Sequence, residues 1–290
     1  MRGPDHPTGH RHSPGPPSPA PHPAPHPAPG PGALVGTRVV VTRARAQASG
    51  LVRRLVALGA EVVELPVIAI EGPADGGVAT AAAADRVVAG AYEWVVVTSS
   101  NAVSPLLDAV GGRTVPAGTR WAAVGTSTAR ALMERGVVPD LVPAEAVSDA
   151  LVATFPTATP PGTAPGRGTR GGSVLFVRAE RARDVVAPGL TAKGWRVDEA
   201  VAYRTVAGDV DPSATEAARS ADAVAFTSSS TVERTVDLLG PSGVPPVVAT
   251  IGPVTSGTVR AAGLEVTVEA VEHTIDGLVS AIAAALADRG

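Results

Sequence analysis

The feature that most constrains this chain is that it writes the same unit twice. VVVTRARAQASGLVRRLVALGAEVVELPVIAI (39–70) aligns without a gap to VLFVRAERARDVVAPGLTAKGWRVDEAVAYRT (174–205). Arg43/Arg178, Leu55/Leu190, Gly59/Gly194, Val62/Val197 and Glu64/Glu199 all fall 135 residues apart. VVVTSSNAV (95–103) returns as VAFTSSSTV (224–232), pairing Thr98/Thr227, Ser99/Ser228 and Ser100/Ser229 at an offset of 129. AAVGTSTARALMERG (122–136) returns as ATIGPVTSGTVRAAG (249–263) at an offset of 127, which pairs Gly125/Gly252 and Thr128/Thr255. Such self-similarity means two copies of one structural unit.

The unit is of the α/β kind. VGTRVVVTR (35–43) is β-branched and bounded by glycine, as a strand is. QASGLVRRLVALG (47–59) carries apolar residues at helical spacing and stops at Gly59. EVVELPVIAI (61–70) again reads as a strand. The alternation runs to the C-terminus and predicts parallel sheets with helices on both faces. At 290 residues there is room for two medium domains with real cores. The repeat does not say whether each copy folds by itself or the copies exchange parts.

Composition removes most chemistries. The net charge of -3 gives no general footprint for nucleic acid, and no apolar run approaches the ~18 residues of a membrane span. The chain has no cysteine, which excludes disulfides and thiolate nucleophiles and fits a reducing cytoplasm. Lys193 is the only lysine, in a setting that reads as the exposed end of a helix, so Schiff-base chemistry is not expected. Five of the six histidines (His6, His10, His12, His22, His26) sit in the first 26 residues and leave His273 for the folded body. No metal site or catalytic triad is expected around one histidine. The Pro/His-rich segment 1–33 lacks the apolar core of a signal peptide and is expected to be disordered. PTATPPGTAPGRGTRGG (156–172) reads as a long flexible loop.

In open α/β sheets ligands sit beyond the carboxyl ends of the strands, and the repeated hydroxyl clusters fall there. Tyr92–Val97 reads as a buried strand, after which Thr98 and Ser99 lead into a helix, as Thr227 and Ser228 do in the second copy. Capping alone explains such residues. Ser127 and Thr128 after Gly125, and Thr255 after Gly252, add a second helix start per copy. Four helix N-termini converging on one cleft would offer N–H groups, hydroxyls and positive dipole ends to an anion. No P-loop or dinucleotide fingerprint is present. Arg43 and Arg178 end equivalent strands, where a guanidinium can fork onto a carboxylate, and Arg45, Arg181 and Arg183 follow nearby. Tyr203, one of two tyrosines, is either packing or a phenol donor at the cleft.

The ordered set VVVTRARAQA, LPVIAI, WVVVTSSNAV, AAVGTSTARAL, LFVRAERAR, VAYRTV, AFTSSSTV and ATIGPVTSGTVRAAG resembles the uroporphyrinogen-III synthase family over 37–285. The resemblance implies two Rossmann- or flavodoxin-like domains joined by a two-stranded ladder, around Val67–Glu71 and Ala202–Ala207. It assigns 34–70 with 206–290 to the first domain and 71–205 to the second, inserted one. It also implies a cofactor-free cyclising dehydration of hydroxymethylbilane, with inversion of the last pyrrole. Tyr203 is then nearest to the family's proton donor. Arg43, Thr98, Ser99, Ser127, Thr128, Arg178, Thr227, Ser228, Gly252 and Thr255 become the grip on substrate carboxylates. A departure is Ala179, where the family commonly has glycine. A cytoplasmic monomer with no metal, nucleic-acid or membrane partner is expected. The competing expectation is a non-catalytic two-domain cleft protein that binds a small anion.

Overall fold

Short β-branched runs and apolar-periodic segments alternate as strands and helices through most of the chain. The computed structural model describes residues 26–159, 172–181 and 185–289. The elements begin with β1 (Arg38–Val41), α1 (Arg45–Ala57), β2 (Glu61–Glu64), β3 (Ile68–Glu71), α2 (Val78–Val88), β4 (Trp94–Val97) and α3 (Val103–Val110). They continue with β5 (Arg120–Ala123), α4 (Thr126–Glu134), α5 (Ser148–Thr154), β6 (Ser173–Ala179), α6 (Val186–Ala192) and β7 (Arg196–Ala207). The last are α7 (Pro212–Arg219), β8 (Ala223–Phe226), α8 (Ser229–Leu239), β9 (Val247–Thr250), α9 (Pro253–Ala261), β10 (Val268–Glu269) and α10 (Ile275–Ala287).

Two five-stranded sheets result, ordered β10-β9-β8-β1-β2 and β3-β7-β6-β4-β5. All pairings are parallel except β3 with β7. The body around the first sheet is lobe one, and that around the second is lobe two. The repeat offsets place β9, β8, β1 and β2 on β5, β4, β6 and β7, which stand in the same order. Even β10 has a trace in lobe two, a parallel bridge between Ala122 and Leu141 at the positions matching Ala249 and Val268. The copies have therefore exchanged halves. Lobe one takes the first half of copy one and the second half of copy two, a choice the repeat alone left open.

The exchange corrects one expectation. EVVELPVIAI is two strands, with β2 in lobe one and β3 in the antiparallel ladder with β7. Pro66 has no N–H to give a ladder, and the chain breaks there. It crosses back at Gly208, whose N–H donates to the Val67 carbonyl at 2.9 Å. A Cβ on Gly208 would lie 1.7 Å from the Pro66 carbonyl oxygen, so the two crossings touch backbone to backbone. Two smaller differences follow. The buried strand expected from Tyr92 begins at Trp94, and Lys193 is half-buried rather than exposed. Its Nζ donates to the carbonyls of Ala153 and Phe155 at the end of α5, which makes the one lysine a cap for a neighbouring helix.

Each sheet buries both faces by simple alternation. In lobe one Val39 and Val41 pack toward α1 and α10, while Val40 packs toward α7, α8 and α9. In lobe two Val95 and Val97 face α2, α3 and α4, and Trp94 and Val96 face α5 and α6. At the N-terminal end a turn over 31–36 delivers Leu34 into the core. The rest of the Pro/His tail (1–25), most of the expected loop (160–171) and Arg183 lie outside the described residues.

Candidate active site

Because every parallel strand of both sheets ends toward the same side as its helix starts, the repeated hydroxyl clusters emerge where the lobes meet. A pocket of about 210 Å³ opens there, lined from lobe one by Arg43, Gln47, Thr227, Ser228, Ser230 and Thr231. Lobe two and the ladder contribute Ser99, Ser100, Asn101, Tyr203, Thr205, Ile68 and Ile70. Of the residues singled out in the sequence, Arg43, Ser99, Tyr203, Thr227 and Ser228 are brought together.

Tyr203 sits in the long strand β7, just beyond the irregularity at Arg178/Ala179 where pairing with β6 ends. Its ring is buried in the lobe-two core, while its O–H donates to Ser99 Oγ at 2.9 Å. Ser99 Oγ also accepts the Asn101 N–H at 3.2 Å, so capping and phenol orientation share one oxygen. Tyr92 differs: it is fully buried in the core, and burial, with Asp198 beside it, pushes its phenol up to about 12. Ser228 is the N-cap residue of α8, accepts the Thr231 hydroxyl at its carbonyl (2.7 Å) and contacts Ser230 Oγ at 3.2 Å.

Arg43 and Arg178 are identical by repeat and different in circumstance. The Arg178 guanidinium donates to Glu199 Oε2 at 2.6 Å and to the Ala179 carbonyl at 3.1 Å. Arg43 is half-buried and has no hydrogen-bond or ion-pair partner among the described residues. Burial pushes its pKa down. A partly dehydrated guanidinium with no counter-ion, at the wall of a hydroxyl-rich pocket, is a site for an anion.

The remaining expected residues stand apart from the pocket lining. Thr98 is half-buried at the end of β4, and Ser127 is exposed on α4. Thr128 and Thr255 are buried inside their helices' first turns. Gly252 is covered by the His273 ring, 3.1 Å from where a Cβ would be, and Gly125 by Ala146 in the matching place. Among the described residues no three His, Asp or Glu side chains gather as a metal site, and no helix is long and apolar enough to cross a membrane.

A family model described as "Uroporphyrinogen-III synthase HemD" matches residues 49–280. A uroporphyrinogen-III synthase from Synechococcus elongatus is 33% identical over 273 residues, covering 86% of this chain and 95% of that protein. The chain belongs to the uroporphyrinogen-III synthase family. A porphyrin biosynthesis protein HemD from Ruminiclostridium josui is 33% identical over 114 residues, 38% of this chain and 22% of that protein. The fold agrees with solved members of the uroporphyrinogen-III synthase family. A mutant synthase from Thermus thermophilus superposes with a TM-score of 0.61 at 20% identity, covering 87% of this chain and all of that one. The Helicobacter pylori protein gives 0.54 at 16% identity, with 87% and 100% coverage. Two α/β lobes and the β3–β7 ladder are thus the family's architecture.

Gln47 and Asn101 also line the pocket, and the sequence motifs do not single them out. The signal for Asn101 was in the repeat itself, since TSSN in copy one stands against TSSS in copy two.

Proposed function

We propose that this chain carries out its family's reaction, the cofactor-free cyclising dehydration of hydroxymethylbilane to uroporphyrinogen III. The single observation that carries the reading is that the Arg43 guanidinium, without a partner among the described residues, shares one pocket with the Tyr203–Ser99 pair. In this reading Arg43 holds a substrate carboxylate, and the hydroxyls of Ser99, Thr227 and Ser228 hold others beside the start of α8. Tyr203 gives its phenolic proton to the hydroxyl at the end of the linear tetrapyrrole, which departs as water. The pyrrole nitrogen supplies the electrons and leaves an azafulvene electrophile. Attack by the substituted carbon of the last ring gives a spiro intermediate, and reopening and reclosure invert that ring. The proton lost when the pyrrole regains aromaticity returns to the phenolate, so the enzyme ends unchanged.

The substrate cyclises unaided to the wrong isomer, so the enzyme's contribution is orientation more than chemical force. A pocket of hydroxyls, one guanidinium and one phenol suits that task. The roles of Thr98, Ser127, Thr128, Arg178, Gly252 and Thr255 in this scheme are indirect: they shape the strand ends and helix starts that present the contacting groups. We take 34–70 with 206–290 as one domain and 71–205 as the other; sheet membership departs from these bounds only at the ladder, where β3 (Ile68–Glu71) and the end of β7 belong to the second sheet. A cytoplasmic monomer suffices, because one chain supplies both walls of the cleft.

The deciding experiment supplies purified protein with freshly made hydroxymethylbilane and separates isomers I and III by chromatography. Type III in excess of the spontaneous background is expected. Only isomer I, formed at the spontaneous rate, would return the chain to the class of anion-binding cleft proteins.

A further inference from the structure

The pocket is bridged from lobe to lobe by two neutral side chains that line it. Gln47, in the first turn of α1, donates its Nε2–H to Oδ1 of Asn101, in the turn that follows β4. Both residues line the pocket, one from each lobe. Among the described residues this is the one side-chain hydrogen bond that crosses from lobe to lobe. The ladder and the Gly208 crossing join the lobes on another side, through backbone.

Two observations separate this bond from ordinary packing. The first is size. Drug-sized ligands occupy clefts of about 300–1,000 Å³, and a linear tetrapyrrole with eight carboxylates is larger than these. A pocket of about 210 Å³ with its walls tied holds only a part of such a substrate. The second is the repeat. Ser230 occupies the place of Asn101 in copy two, and α8 starts there without an amide. The fold of the unit therefore does not require the Asn101 amide. A neutral pair is also the right kind of tie, since it opens at little cost and has no charge to compete with Arg43 for carboxylates.

We propose that Gln47 and Asn101 are a positioning pair: their hydrogen bond parts to admit the two ends of the linear tetrapyrrole that are to be joined and re-forms over them, so that ring closure happens in a shut pocket while the rest of the substrate lies outside it. The proposal rests on the functional reading above. Its consequence concerns the azafulvene, which in an open cleft meets water or closes without inversion to isomer I. Neither residue donates a proton to the reaction; they act by holding the walls that do.

The test compares wild type, Gln47→Ala, Asn101→Ala and the exchanged double variant Gln47→Asn/Asn101→Gln, which keeps the amides and their combined reach. Single turnovers with enzyme in excess are read as the ratio of isomers, and steady-state turnover as kcat and KM. The alanine variants should release at least several-fold more isomer I than wild type at unchanged melting temperature, and the exchange should restore type III. Alanine variants that match wild type in isomer ratio overturn the pair's role. So do alanine defects that the exchange leaves unrepaired, because each residue would then act alone. A second arm holds even if an alanine variant folds poorly. The chain has no cysteine, so Gln47→Cys/Asn101→Cys can be joined by a short bis-maleimide. The joined protein should take up no substrate, and undiminished turnover overturns the proposal. Wild type that makes only isomer I removes the functional reading and this proposal with it, before any substitution is compared.

Discussion

At the scale of single residues the two copies part company over one carboxylate. Arg178 closes on Glu199, while Arg43, with Glu64 in the matching position, has no partner among the described residues and lines the pocket. Replacing Arg43 with Gln should remove a charge-assisted contact of about 1.5–3 kcal/mol, a loss of roughly ten- to hundred-fold in kcat/KM. Its melting temperature should hold or rise, because burial already disfavours that charge in the folded state. Arg178→Gln should show the opposite balance, a lower melting temperature with a smaller loss of activity. Equal kinetic losses in the two variants would mean that Arg43 is not the special one. Tyr203→Phe keeps the buried ring and removes only the donor to Ser99. Loss of a general acid costs about 100-fold or more in kcat, with the fold intact by circular dichroism; unchanged turnover would end the donor role. The sequence displayed both arginines, the hydroxyl clusters and the tyrosine. It could not rank them, because what separates Arg43 from Arg178, a glutamate that reaches one and a pocket that opens beside the other, exists only in the fold. The same applies to Thr128 and Thr255, whose burial depends on how their helices lie.

Among elements the informative one is the run 61–70. Its pattern is continuous β-former, so sequence reading makes it one strand, yet Leu65-Pro66-Val67 carries it from one sheet to the ladder. Pro66 was the local warning, since proline within such a run marks an edge or a break. What no local signal gives is the partner crossing at Gly208, which lies beside Pro66 only after about 140 intervening residues have folded. The backbone there is outside the left-handed region; the absence of a side chain matters because of the Pro66 oxygen. Gly208→Ala should therefore act as overpacking against rigid backbone, destabilising by about 1–3 kcal/mol in urea titration. Gly257→Ala is the control, because a Cβ there meets open space. If both variants melt alike, the close crossing is not what constrains the hinge. The repeat made the alternation of strands with helices and the parallel sheets legible from sequence. The exchange of halves became legible only through family resemblance, since head-to-tail copies would have shown the same periodicities.

For the whole molecule, the exchange makes the two lobes unequal in how they can unfold. Lobe two is one continuous stretch, from β3 to the end of β7. Lobe one is assembled from both sides of that stretch, with Val39 paired to Ala223 across the sheet. While lobe two is folded, its ends are held together at the ladder and lobe one closes a short gap. If lobe two unfolds, lobe one must close a loop of about 140 residues, some five doublings longer. At ~0.6 kcal/mol per doubling that adds about 3 kcal/mol to the cost of keeping lobe one folded. Lobe one can thus melt alone, whereas melting lobe two weakens lobe one as well. The apolar clusters on the two sheets are separate except at the ladder, where Ile68 of β3 sits in the lobe-one cluster and Ile70 packs against both. Two cores joined this lightly should unfold as two units. The tryptophans make the order visible, because Trp94, Trp121 and Trp195 are all buried in lobe two. In urea, far-ultraviolet dichroism should begin to fall before tryptophan fluorescence moves, and the fluorescence midpoint should be the later one. Coincident transitions by both probes would show the lobes unfolding as one body. A ligand that bridges Arg43 and Ser99 binds only when both lobes are folded, so it should draw the two midpoints together.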